Sequence, residues 1–168
     1  THNSITHPIP KPKNGNWSIQ FMQHSLVFGL AGHNYLALRN ENGDVVEELH
    51  GLATDERTQR WTYVGYKTTD ILQVWRFHGP LYQINNKQYP GIILKEGGKE
   101  EVNKTWDKAT PCIEAINVKK IPYPSLGISI KQTTKNSNSV AYTLSYCMEL
   151  DAKHLGLITP GSGENLLK

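Results

Sequence analysis

From Trp17 onward the chain reads as strands, because apolar and polar residues alternate with the two-residue period of a pleated backbone. Candidate strands are 17–22, 25–30, 33–38, 45–50, 60–66, 71–77, 91–95 and 127–132. Between 33–38 and 45–50 lies Arg39-Asn40-Glu41-Asn42-Gly43-Asp44, whose Asn-Gly step favours a hairpin because both residues tolerate positive φ. Leu36 and Leu38 share one face, with Val45 and Leu49 as partners across the turn. Placing Leu38 opposite Val45 sets His33 opposite His50, both pointing away from the Leu/Val face; a one-residue bulge at Gly43 would shift the pairing.

Later segments switch to helical spacing. Over 100–117, Val102, Trp106, Ala109, Ile113 and Ile116 form an apolar stripe, and Pro111 within it predicts a kink or a division in two. Over 137–150, Val140, Leu144, Cys147 and Met148 form a second stripe, with Asn136 and Ser137 just ahead, where an N-cap belongs. Residues 1–16, with Pro8, Pro10, Pro12 and an Asn14-Gly15 turn, read as an arm, and Thr159 to Gly163 as loop. The expected architecture is α+β: a single domain over 17–168, an antiparallel sheet or partial barrel packed against two or three helices.

At 168 residues the chain is long enough to bury a core without staples, and 38% hydrophobic and 20% charged residues are globular values. No apolar run approaches the roughly 18 residues of a membrane helix, so no transmembrane segment is expected. No basic-then-apolar leader opens the chain, and the start Thr1-His2-Asn3 suggests a mature form or an excised piece. The net charge of +3 comes from scattered Lys and Arg, the densest clusters being Lys11/Lys13 and Lys119/Lys120. Without a basic stripe interleaved with aromatics, nucleic acid is not an expected partner. Cys112 and Cys147 could form one bridge or be two buried thiols, and the second reading is preferred. Neither has zinc-ligand spacing, and no cofactor or metal is called for.

The sequence contains no nucleophile elbow, phosphate loop, dinucleotide fingerprint or zinc-protease motif. The carboxylate neighbours Glu47/Glu48 do not read as a catalytic couple, because adjacent strand residues face opposite ways. Glu100/Glu101 suit the positive end of a helix. What remains is Asn136-Ser137-Asn138-Ser139-Val140-Ala141. A serine at a helix start has free N–H groups and the positive dipole end beside it, which stabilise a developing oxyanion, but it needs an imidazole base within reach. Taken alone, Asn and Ser before a helix are caps more often than catalysts. His33 is the candidate base, and His50 opposite it would fix its tautomer. His2, His7, His24, His78 and His154 read as surface or arm residues.

Together these segments resemble the circularly permuted papain-like superfamily that includes the lecithin:retinol acyltransferases and NlpC-type hydrolases. His33, Leu36, Leu38, Gly43, Val45, Val46 and His50 follow its plan of a histidine opening a strand–turn–strand, with a longer turn. Asn136-Ser137-Asn138-Ser139-Val140-Ala141 is similar to the acyltransferases' second motif, with Ser137 where the family has cysteine. The phrases around Gly32–Leu36, Glu48–Asp55 and Asn136–Ser139 also resemble an uncharacterised domain of large secreted bacterial proteins and effectors. The resemblance implies His33 as general base, His50 as its orienting partner and Ser137 as nucleophile. Asn136, Asn138 and Ser139 would be supporting or oxyanion groups, with Ser139 the fallback nucleophile.

Serine in place of cysteine raises the nucleophile's pKa, so the site leans harder on its base. It implies either an active serine hydrolase or a scaffold that has lost its chemistry. The expected function is an acyl-ester hydrolase or acyltransferase with a phospholipid-like substrate, a cell-wall peptide amidase coming second. Secretion or delivery to the periplasm or a target cell, and an inhibitor (immunity) protein as partner, follow from the resemblance alone. The alternative is a non-catalytic glycan- or protein-binding module, with Trp17, Trp61, Tyr63, Trp75 and Tyr82 available to stack on sugars.

Overall fold

The computed structural model describes residues 15–26, 31–63, 65, 67–81, 91–123, 136–152 and 165–168. Most of the predicted arm, the strand candidate over 127–132 and the loop 159–163 lie outside these residues, as do Tyr82, His2, His7 and His154. The described part is α+β. Its strands are β1 (Trp17–Leu26), β2 (Ala31–Arg39), β3 (Val45–Asp55), β4 (Trp61–Thr62), β5 (Asp70–His78) and β6 (Gly91–Gly97). The helices are α1 (Lys99–Asp107), α2 (Thr110–Val118) and α3 (Ser137–Cys147). All strand pairings are antiparallel, in the order β4-β3-β2-β1-β6, with β5 also on β3.

The hairpin forms where the alternation predicts it, but in another register. Leu36 pairs with Leu49 and Leu38 with Glu47, so the strands are slid two residues from a Leu38–Val45 pairing. The irregularity lies between Leu38 and Arg39, not at Gly43. Asn40 shapes the turn: its Oδ1 accepts the N–H of Asn42 at 3.0 Å and of Asp44 at 2.9 Å, while Gly43 takes φ +83°. A slip of two residues preserves the faces. His33 and His50 therefore still share a face, but the ring that stacks on His50 is that of Tyr35.

Pairing parity divides the sheet cleanly. Ile19, Phe21, Leu36, Leu38, Leu49, Ala53, Leu72 and Val74 form one buried cluster with Val102, Trp106, Ile116, Val140, Leu144 and Met148 of the helices. The opposite face carries Met22, Tyr35 and Ala37 as a separate cluster, together with His33, Glu48 and His50. Pro111 divides the first helical stretch as predicted: its ring would clash with the carbonyl of Asp107, where α1 stops, and it sits in the first turn of α2.

The preference for free thiols is overturned: Cys112 and Cys147 are joined by a disulfide that ties α2 to the last turn of α3. Both are half-buried at the seam between the helices, so the burial typical of free cysteine was a poor guide. Among the described residues no helix is long and apolar enough to cross a membrane.

Candidate active site

The site begins at a gap in the sheet. β5 covers one edge of β3 from Glu47 to Asp55, so β2 and β4 share the other edge. They pair with 45–49 and 53–54, which leaves 50–52 between them. The start of α3 enters this opening. Asn34 N–H donates to Asn138 Oδ1 at 2.8 Å, and Asn138 Nδ2 donates to Gly32 O at 3.1 Å. One amide side chain thus replaces a strand partner for the backbone on both sides of His33. Across the opening, Gly51 is required: a Cβ there would stand 2.5 Å from Val140 Cγ2 and 3.2 Å from the Cα of Ser137.

Local chemistry explains why the helix starts here. Asn136 is extended and its Oδ1 accepts from the N–H groups of Asn138 and Ser139, at 2.9 and 3.3 Å. Ser139 Oγ accepts the Asn136 N–H at 3.1 Å, completing a reciprocal cap. Ser137 is therefore the first helical residue, 5% exposed. Its hydroxyl and its amide N–H both face the phenol oxygen of Tyr123. Tyr123 in turn donates to the carbonyl of Tyr63 at 3.2 Å.

The histidines form a continuous buried chain on the other strand positions lining the gap. His33 Nε2 lies 2.8 Å from His50 Nδ1, and His50 Nε2 lies 3.4 Å from Glu48 Oε2. The two imidazoles are fully buried and Glu48 is 3% exposed. Tyr35 stacks on His50 with centroids 4.4 Å apart, and Tyr63 meets His33 edge-on at 5.3 Å. The Leu81 N–H also donates to Glu48. His33 Nδ1 has no hydrogen-bond partner among the described residues.

Burial sets the electrostatics. It pushes His33 well below the usual imidazole range, helped by His50 and His24, and His50 down to about 3, helped by His24. It raises Glu48 to about 7, against the opposing Leu81 N–H and Arg39. Both rings are therefore neutral near pH 7, and each has one donor and one acceptor nitrogen.

The structure brings His33 and His50 into direct contact and clamps Asn136, Ser137, Asn138 and Ser139 beside their strands. It does not join Ser137 to His33: one His33 nitrogen is on His50, and the other makes no hydrogen bond among the described residues. Ser139, the fallback nucleophile, is engaged in the cap. Asn136 and Asn138 hold the helix start in place.

Three residues escaped sequence reasoning. Glu48 shares the face of His50 because it lies two residues before it, a parity signal that was available. Glu47 does point the other way, toward Trp106 and Arg76, as adjacency on a strand requires. His24, read as a surface residue, pairs across β1 and β2 with His33 and stacks on Tyr63. Tyr123 arrives from a distant segment, and no local pattern pointed to it. His78, by contrast, is largely exposed, as expected.

Among known protein families, curated proteins and solved structures, none matches this chain.

Proposed function

We propose that the chain is a Ser–His acyl hydrolase or acyltransferase on a permuted papain-like scaffold, with an acyl ester of phospholipid type as substrate. One observation carries this reading: Asn138, next to Ser137, bonds the backbone on both sides of His33, while Ser137 stands against Gly51, next to His50. A hydroxyl at a helix start and a buried base are thus held at the same gap in the sheet. For reaction, the Ser137 hydroxyl turns from Tyr123 toward His33. His33 Nδ1 takes its proton as Oγ attacks the ester carbonyl, and the positive end of the α3 dipole, with the Ser137 N–H once it leaves Tyr123, stabilises the oxyanion. The imidazolium returns the proton to the leaving alcohol, and water or an acceptor alcohol then removes the acyl group by the same route.

Esters suit a serine here better than amides, because the alcohol needs less help to leave; a cell-wall amidase is the second substrate class. Secretion to a target cell or periplasm and control by an inhibitor protein belong to the same proposal. The test is turnover of phospholipid vesicles and of a short-chain aryl ester by wild type and Ser137→Ala. Loss of about 1,000-fold or more in the variant, with unchanged circular dichroism, is expected; equal turnover by the two proteins overturns the reading.

A second reading is favoured by the aromatic rings beside the chain. Trp61, Tyr63, Trp75 and Phe77 are partly exposed and pack edge-on or stacked around His50. They suit a glycan-binding module without turnover. Saturable binding of a cell-wall oligosaccharide, unaffected by Ser137→Ala and with no ester hydrolysis, would decide for it.

A further inference from the structure

We propose that Glu48 is the positioning residue of this site: through His50 it decides which nitrogen of His33 carries the proton. The catalytic consequence rests on the Ser–His reading above, whereas the tautomer itself does not. The argument is one of hydrogen-bond polarity along three buried groups. An ionised carboxylate only accepts, so His50 Nε2 must carry the hydrogen that points at Glu48 Oε2. A neutral His50 then has a bare Nδ1, which accepts from His33 Nε2–H across 2.8 Å. His33 is left with a bare Nδ1, the nitrogen that has no partner among the described residues. This is the form a general base needs.

Protonating Glu48 at Oε2 reverses the polarity. The carboxyl O–H donates to His50 Nε2, whose proton is replaced by one on Nδ1; that N–H donates to His33 Nε2, and His33 carries its proton on Nδ1. One proton has been added, on the carboxyl, and each ring still holds one. In that form His33 is a donor and cannot deprotonate a hydroxyl.

Among the described residues, the titratable and charged side chains facing the chain are His24 from β1, Tyr35 and Arg39 from β2, and Tyr63 beyond β4. β5 contributes the apolar rings of Trp75 and Phe77. Arg39 is itself occupied by Gln20 and by the Gly43 carbonyl. Because Glu48 titrates near 7, the reversal falls in the neutral range.

The experiment is a long-range proton–nitrogen NMR titration of the intact chain, with His33 assigned by its loss in His33→Gln. Wild type should show His33 in the Nε2–H form at about pH 8 and move to the Nδ1–H form by about pH 6. Glu48→Gln, whose amide does not titrate, should hold one form throughout. With an ester substrate, the variant should lose about 10- to 100-fold in kcat with KM unchanged, together with the limb of the pH profile that rises through neutrality. A wild-type His33 tautomer that does not change over this range overturns the proposal, whether or not Glu48→Gln folds. A tautomer change that persists in Glu48→Gln also overturns it. A wild-type switch without hydrolysis of any ester supports the relay and counts against the hydrolase reading alone.

Discussion

Both faces of the sheet bury side chains completely, but they are built from opposite materials. Toward the helices, Ile19, Phe21, Leu36, Leu38, Leu49 and Leu72 close on Trp106, Ile116, Val140 and Leu144, and the rare polar group there is well supplied with partners. Glu47, for example, accepts from the Trp106 indole at 3.0 Å and from Arg76 at 3.1 Å. The other face buries His33, His50 and Glu48 among phenol and indole rings, with each polar group depending on the next. Burial alone therefore does not tell a core from a site. What tells them apart is whether the buried atoms need particular partners: aliphatic packing tolerates exchange at modest cost, whereas an imidazole chain changes its meaning when one end changes charge.

The comparison can be broken most directly on the helix-covered face. Trp106→Ala removes a fully buried indole and strips Glu47 of a donor. It should cost about 3–5 kcal/mol in urea unfolding while leaving the His33–His50 contact unchanged by NMR. A loss below about 1 kcal/mol would mean that the apolar face is not the dominant core.

The bridge that pins α3 from its far end comes next. The disulfide spans 35 residues, so replacing both Cys112 and Cys147 with Ser should lower stability by about 3–4 kcal/mol. The same loss should follow from adding reductant to wild type. Wild type that is equally stable with and without reductant would contradict the bridge.

The smallest effect sharpens the other face. His33 and His50 are held below their unfolded value of 6.5, so between about 4.5 and 6.5 the unfolded chain binds two protons that the folded chain lacks. Glu48 is raised from 4.5 to about 7, so in the same window the folded chain binds one proton that the unfolded chain lacks. The imidazoles make stability fall as pH drops through that window, and Glu48 opposes them. The net slope is one proton, about 1.4 kcal/mol per pH unit, with stability rising toward neutrality. Glu48→Gln removes the opposing group and should roughly double the slope. Equal slopes for the two proteins, measured by urea unfolding at several pH values, would show that Glu48 is not held protonated.

The sequence was most legible where a signal is local. The Asn42-Gly43 turn, the division forced by Pro111 and the Asn136 cap each follow from one or two residues acting on their own backbone. The shared face of His33 and His50 was legible because parity survives a slip of two residues. The register was not, because Asn40 and the irregularity beside Arg39 take up chain that a simple two-strand count leaves out. The disulfide, His24 beside His33 and Tyr123 over Ser137 depend on which distant segments meet, and neither spacing nor residue type encodes that.

Alternation and helical spacing, acting through side-chain geometry within a few residues, determined the α+β class, the hairpin and the capped start of α3 in this chain. Only the tertiary structure decided that α3 enters the gap left along β3 between β2 and β4, and that Glu48, His50 and His33 form one chain beside it. The reason is physical: a strand pattern specifies which face a side chain occupies, whereas hydrogen-bond partners and pKa shifts arise from burial by residues far away in sequence.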